Sequence, residues 1–164
     1  MAMYFRYNGT FSFEDFYRQT RKFFTDRHME FSEGKHKSKP DEIEGKFLAT
    51  LKVDMYTEFE FDIEYKVIDV KQITVEKDGK NVQMISGKIW LELGTKTNLN
   101  YKDGSFSESK PLFDKNNKKQ SLFMKIYEKV TFRDRDEGTE GEIIIIAHQY
   151  IDMLKGICNM ETRY

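Results

Sequence analysis

The chain has one cysteine, one tryptophan and two prolines in 164 residues, and no long apolar run. Each scarcity excludes something. With Cys158 alone no intrachain disulfide can form, so the fold must rest on a packed interior, and the usage fits a reducing compartment. No window approaches the roughly 18 apolar residues of a membrane-spanning helix. Met1-Ala2-Met3-Tyr4-Phe5-Arg6 lacks the apolar core of a signal peptide, so the expectation is a cytoplasmic protein without a membrane partner. The Asn8-Gly9-Thr10 glycosylation triplet then reads as a turn into the first helix. An excess of one charge is also missing: 27 Lys+Arg stand against 28 Asp+Glu. No overall field would draw the chain to nucleic acid or to an anionic surface, and such binding would need a local patch.

Residue patterns that carry chemistry are equally scarce. His28, His36 and His148 are scattered, and no pair has a metal-ligand spacing. Asp134-Arg135-Asp136-Glu137-Gly138 touches on a calcium loop, but such a loop would need glycine where Thr139 stands and glutamate where Ile145 stands. No phosphate-binding glycine loop, dinucleotide fingerprint or nucleophile elbow occurs. Cys158 closes an apolar helical stripe and reads as a packed thiol rather than a nucleophile. No catalytic, metal-binding or cofactor-binding residue can be named, and the expectation is a protein that is not an enzyme and carries no cofactor.

What the chain does have is aromatic bulk and alternation. Phe (14) and Tyr (9) supply most of an aromatic content of 15%, enough to pack a sheet against helices. From Met55 to Tyr101 the sequence reads as one long β-hairpin folded at Asp78-Gly79. Met55, Phe59, Phe61, Ile63, Tyr65 and Val67 share one parity, and Glu58, Glu60, Asp62 and Glu64 the other. The returning arm puts Ile89, Leu91, Leu93, Leu99 and Tyr101 opposite Lys88, Trp90, Glu92, Lys96 and Asn98. A period of two on this scale defines a sheet with a dry face and a wet face. The acidic row is expected to pair across strands with Lys46, Lys52, Lys88 or Lys96. Two slips of parity, near Lys71-Gln72 and near Ile85-Gly87, predict β-bulges, and the tip at Asp78-Gly79 should project beyond the helices.

The flanks are helical. Ser12 is placed to cap a helix whose apolar positions are Phe13, Phe16, Tyr17, Thr20, Phe23 and Phe24, leaving Arg18, Gln19, Arg21 and Lys22 outside. Leu122, Phe123, Ile126, Tyr127 and Val130 recur at helical spacing, after a second Asp103-Gly104 turn and a polar loop through Pro111. A capping box at Thr139-Glu140-Gly141-Glu142 opens a last helix through Cys158, although Ile143 to Ile146 would equally suit a strand. The expectation is one α+β domain over 1–164. It has a four- to five-stranded curved antiparallel sheet, a long central hairpin, one N-terminal helix and two C-terminal helices packed on one face.

That order of elements is similar in outline to helix-grip (START-like) lipid-binding domains, a resemblance that implies a carrier of an apolar small molecule. The residues themselves favour a non-enzymatic protein-interaction or structural assembly module, meeting a protein partner or a second copy through sheet surface and hairpin. Its candidate surface comprises Lys77, Asp78, Gly79 and Lys80 at the tip, Arg18, Arg21 and Lys22 on the first helix, and Lys35, Lys37 and Lys39 in the run before Pro40. These cations, with the run Lys115-Asn116-Asn117-Lys118-Lys119, also admit an RNA-binding accessory role that is not favoured.

Overall fold

The computed structural model describes residues 1–54, 56–77, 79–99, 101, 113, 117–131 and 136–159, with the backbone alone at 77, 80, 131 and 136–140. Strands β1 (Ala2–Phe11), β2 (Glu30–Ser38), β3 (Glu42–Lys52), β4 (Thr57–Lys77) and β5 (Lys80–Leu99) form one antiparallel sheet in the order β1-β5-β4-β3-β2. Helix α1 (Phe13–Thr25) joins β1 to β2, and α2 (Lys118–Thr131) and α3 (Asp136–Ile157) follow the sheet. The sheet does not close, and the class is α+β, as the alternation requires.

The dry parity is buried as expected. Phe59, Phe61, Ile63, Tyr65, Val67, Ile89, Leu91 and Leu93 are all core residues, while Glu58, Glu60 and Asp62 are half-buried and Glu64 is exposed. Met55 lies outside the described residues, and Leu99, of the same parity, is exposed at the strand end. Onto this face α1 presses Phe16 and Phe24, whose rings lie 5.3 Å from Tyr65 and 5.5 Å from Phe61. Helix α3 adds Ile143, Ala147, Tyr150, Leu154 and Cys158 at helical spacing, and Tyr150 meets the Phe24 ring at 5.1 Å. The four isoleucines are therefore helical.

Local signals set the ends of α1. The Ser12 hydroxyl accepts from the Asp15 amide at 3.1 Å, satisfying one of the free donors of the first turn. At the other end His28 takes a left-handed conformation (φ 59°), and the Met29 amide reaches back to the Phe24 carbonyl at 3.1 Å. That is the 6→1 bond of a helix stop, and it gives this histidine a structural position.

Three expectations need correction. Asn8-Gly9-Thr10 is not a turn: all three residues continue β1, opposite Lys88, Gly87 and Ser86. Thr139 does not open α3, which is already helical from Asp136, so the capping pattern falls inside the helix. The two parity slips are one bulge, because Ile68 faces Lys88 and Lys71 faces Ser86 while β5 runs evenly against β1. The extra residue lies at Asp69-Val70, with Asp69 left-handed (φ 58°). The Val70 amide finds the Asp41 carbonyl at 3.1 Å, and Lys88 pairs with Asp69 at 2.8 Å. An unforeseen shift lies between Glu33 and His36 in β2.

Beyond the bulge the hairpin leaves the body. β3 pairs no further than Ile68 and β1 no further than Ile85, so Ile73–Lys77 and Lys80–Met84 pair only with each other. At ~3.4 Å per residue this arm is about 17 Å long.

Candidate functional site

Cross-strand register gathers the wet-face side chains into rows. Arg6 of β1 faces Trp90 of β5, which faces Lys66 of β4, which faces Glu44 of β3, which faces Lys37 of β2. One step along, Tyr4 faces Glu92, Glu92 faces Glu64, and Glu64 faces Lys46. With Lys35 from the β2 irregularity these residues, Lys37 excepted, line a trough of about 490 Å³ across the outer face of the sheet.

The centre of that trough is aromatic and cationic. Tyr4 and Trp90 are exposed large side chains on a face rich in charged residues. The Arg6 guanidinium lies over the Trp90 ring, 5.5 Å from its centroid, a cation–π contact. Around this centre the charges are mixed. Lys46 donates to Asp62 at 2.5 Å and to Glu64 at 2.9 Å, and these bonds push its ammonium up to about 12. Lys66 reaches Glu42 at 2.5 Å, which raises the lysine and lowers the carboxyl through that hydrogen bond.

Glu64 and Glu92 stand directly opposite each other on the ladder. Like charges so placed oppose the pairing. Lys46 offsets Glu64, whereas Glu92 has the Tyr4 hydroxyl, which donates to it at 3.3 Å. A sheet optimised only for stability would not place two carboxylates there, and such local conflicts concentrate at functional positions.

The acidic row is only partly paired as expected. Lys46 takes Asp62 and Glu64, but Lys88 goes to the bulge at Asp69, and Asn98 donates to Glu58 at 3.3 Å and to Glu60 at 2.8 Å.

The candidate surface residues fall in three places. Arg18, Arg21 and Lys22 are exposed on the outer side of α1, over the dry face, and Arg18 is paired with Asp15. Lys37 and Lys39 approach Glu44 at 3.6 Å and Glu42 at 3.2 Å on the opposite face, with Lys35 in the trough wall. The sheet thus separates the two basic groups. At the arm's end Gly79 is left-handed (φ 72°), as the turn needs; Asp78 lies outside the described residues, and Lys77 and Lys80 face each other in the last pair.

Sequence reasoning missed Tyr4 and Arg6 because it searched for charge among neighbours in the chain. Trp90 was on the wet parity from the start. The signal that could have found the site is an aromatic residue on a polar parity, present at both Tyr4 and Trp90.

Burial shapes the remaining titratable groups. It pushes the Cys158 thiol up to about 11, consistent with a packed side chain. The Tyr65 hydroxyl, raised to about 12 by burial and then by Glu33, lies 3.0 Å from His36 Nδ1. Among the described residues no group of His, Cys, Asp or Glu is arranged to hold a metal ion.

No protein-family model, curated protein or solved structure matches this chain. The outline shared with helix-grip domains accordingly rests on element order alone.

Proposed function

We propose that this chain is a non-enzymatic interaction module that takes a protein partner on the open face of its sheet. The observation that carries this reading is the grouping of Tyr4, Arg6 and Trp90 around one concave trough. Trp, Tyr and Arg are the residue types most enriched where interfaces concentrate their binding energy, and charged side chains typically form the rim. Glu44, Glu64, Glu92, Lys35, Lys46 and Lys66 supply such a rim, and the arm from Ile73 to Met84 provides a second contact beyond it. The buried single thiol fits work in the cytoplasm.

A carrier role for apolar ligands is less well supported. Its ligand would lie between helices and sheet, where Phe16, Phe24, Phe47, Tyr65 and Tyr150 make ring contacts of 5.0 to 6.4 Å. RNA binding gains stacking surfaces in Tyr4 and Trp90, but the three carboxylates of the same trough repel phosphates.

The test is a photo-crosslinking amino acid placed at Tyr4, in the trough, and in a second protein at Arg21, on the far side. Crosslinks to a discrete protein from the Tyr4 position only are the expected result. Crosslinks from Arg21 alone, or RNA retention that falls steeply with salt, would replace this reading.

A further inference from the structure

Helix α2 turns its apolar side chains away from the protein. Leu122, Phe123, Ile126 and Val130 are 60%, 62%, 50% and 73% exposed. At roughly 100° per residue these positions form one stripe along the helix. One flank of the stripe is anchored, the Tyr127 ring meeting Tyr56 at 5.2 Å and Phe113 at 5.6 Å, and behind it the Tyr56 hydroxyl donates to Glu128. The anchor fixes which face points outward.

The charges of the helix say what that face fits. Lys118, Lys119, Lys125 and Lys129 are all exposed, while Glu128 is turned toward Tyr56. No acid occupies the first turn, so Lys118 and Lys119 stand at the positive end of the helix dipole, the reverse of the stabilising arrangement. Asn117 caps that end, its side chain accepting from the Lys119 amide at 3.1 Å. Pairing with the same helix of a second copy would bring these lysines against their equivalents, so the complement must be anionic. A convex stripe rimmed by cations needs a preformed groove in a protein, whereas a bilayer accepts it without one: apolar tips enter the acyl boundary and lysine stems reach back to phosphates.

We propose that α2 docks the protein on an anionic phospholipid surface, lying in the plane of the interface. No described helix is long and apolar enough to cross a membrane, and docking of this kind requires none. The reading is independent of the trough, which lies on other elements.

The full chain is floated with vesicles of phosphatidylcholine alone, or with a quarter phosphatidylglycerol, at low and high salt. Expected is flotation with the anionic vesicles, about tenfold above the neutral ones and weakened by salt. The exposed substitutions Phe123→Asp and Ile126→Asp together should reduce it about tenfold or more, and Gln at Lys118, Lys119, Lys125 and Lys129 should remove the preference for anionic lipid. An environment-sensitive fluorophore on Phe123→Cys should brighten with anionic vesicles. No flotation at low salt, flotation indifferent to the Asp substitutions, or retention on an acidic polypeptide with vesicles ignored would each overturn the proposal.

Discussion

The hydroxyls of Thr20 and Tyr150 meet 3.1 Å apart inside the core, a polar contact that binds α1 to α3 among apolar side chains. Both residues are fully buried, so neither hydroxyl can turn to water. Removing one partner leaves the other desolvated and unpaired. Thr20→Val or Tyr150→Phe alone should each cost about 1–3 kcal/mol, read from urea unfolding. The double substitution should cost less than the sum of the singles, and additive losses would show that the two groups are not coupled.

Alkaline pH acts on the buried tyrosine hydroxyls. Burial raises the hydroxyls of Tyr150, Tyr56 and Tyr65 above the ordinary tyrosine value of 10.0, Tyr65 to about 12. Above pH 10 the unfolded chain releases these protons while the folded chain retains them, so stability falls as pH rises. Their contribution is complete below pH 10 and, for Tyr65, is lost by about pH 12. A melting temperature that stayed flat from pH 9.5 to 11.5 would contradict the buried placement.

Gly87 has a backbone reason to be glycine. A Cβ there would stand 2.9 Å from the Ile68 carbonyl oxygen, opposite the bulge. Since backbone cannot yield as a flexible side chain does, Gly87→Ala should destabilise by about 1–3 kcal/mol. Asp69→Gly, which relieves a left-handed residue while losing only an exposed ion pair, should stay within about 0.5 kcal/mol of the parent. Thermal melts of the two variants check the pair.

Glu92 opposes Glu64 across the ladder, so Glu92→Gln should raise stability by about 0.2–1 kcal/mol. The gain should shrink in high salt, where the repulsion is screened. A loss of stability instead would mean that the Tyr4 hydrogen bond outweighs the repulsion.

The arm should be dispensable for folding. Joining Gln72 to Ile85 by an Asn-Gly turn removes only residues that pair with each other. The shortened protein should keep its melting temperature within a few degrees. A large drop would place the arm in the core's cooperative unit.

Much of this architecture was legible because alternation is a local signal. Phe59 to Val67 and Ile89 to Leu93 announce a two-faced sheet with no knowledge of partners, and Ser12 announces α1. The bulge was harder: parity slips on both strands suggested two bulges, yet one extra residue at Asp69-Val70 displaces the pairing of both. The trough was not legible at all. It exists because β1 pairs with β5 in the register that sets Arg6 against Trp90, a long-range pairing that no period within either strand encodes. Helix α2 misled for another reason. Its spacing identified a helix with an apolar stripe, but spacing cannot say whether a stripe faces a core or open surface, and here only Tyr127 of the predicted stripe is partly buried.

The most direct trial of the sheet-face reading is partner affinity in variants of the trough. Capture by the immobilised chain would be titrated for the parent, for Trp90→Ala, for Arg6→Ala and for the arm-shortened form, each confirmed folded. The account predicts a loss of at least ~10-fold for Trp90→Ala and Arg6→Ala, the scale of a truncated interface anchor, with the arm-shortened form much less affected. Unchanged binding in both trough variants, with binding lost on shortening the arm, would contradict it.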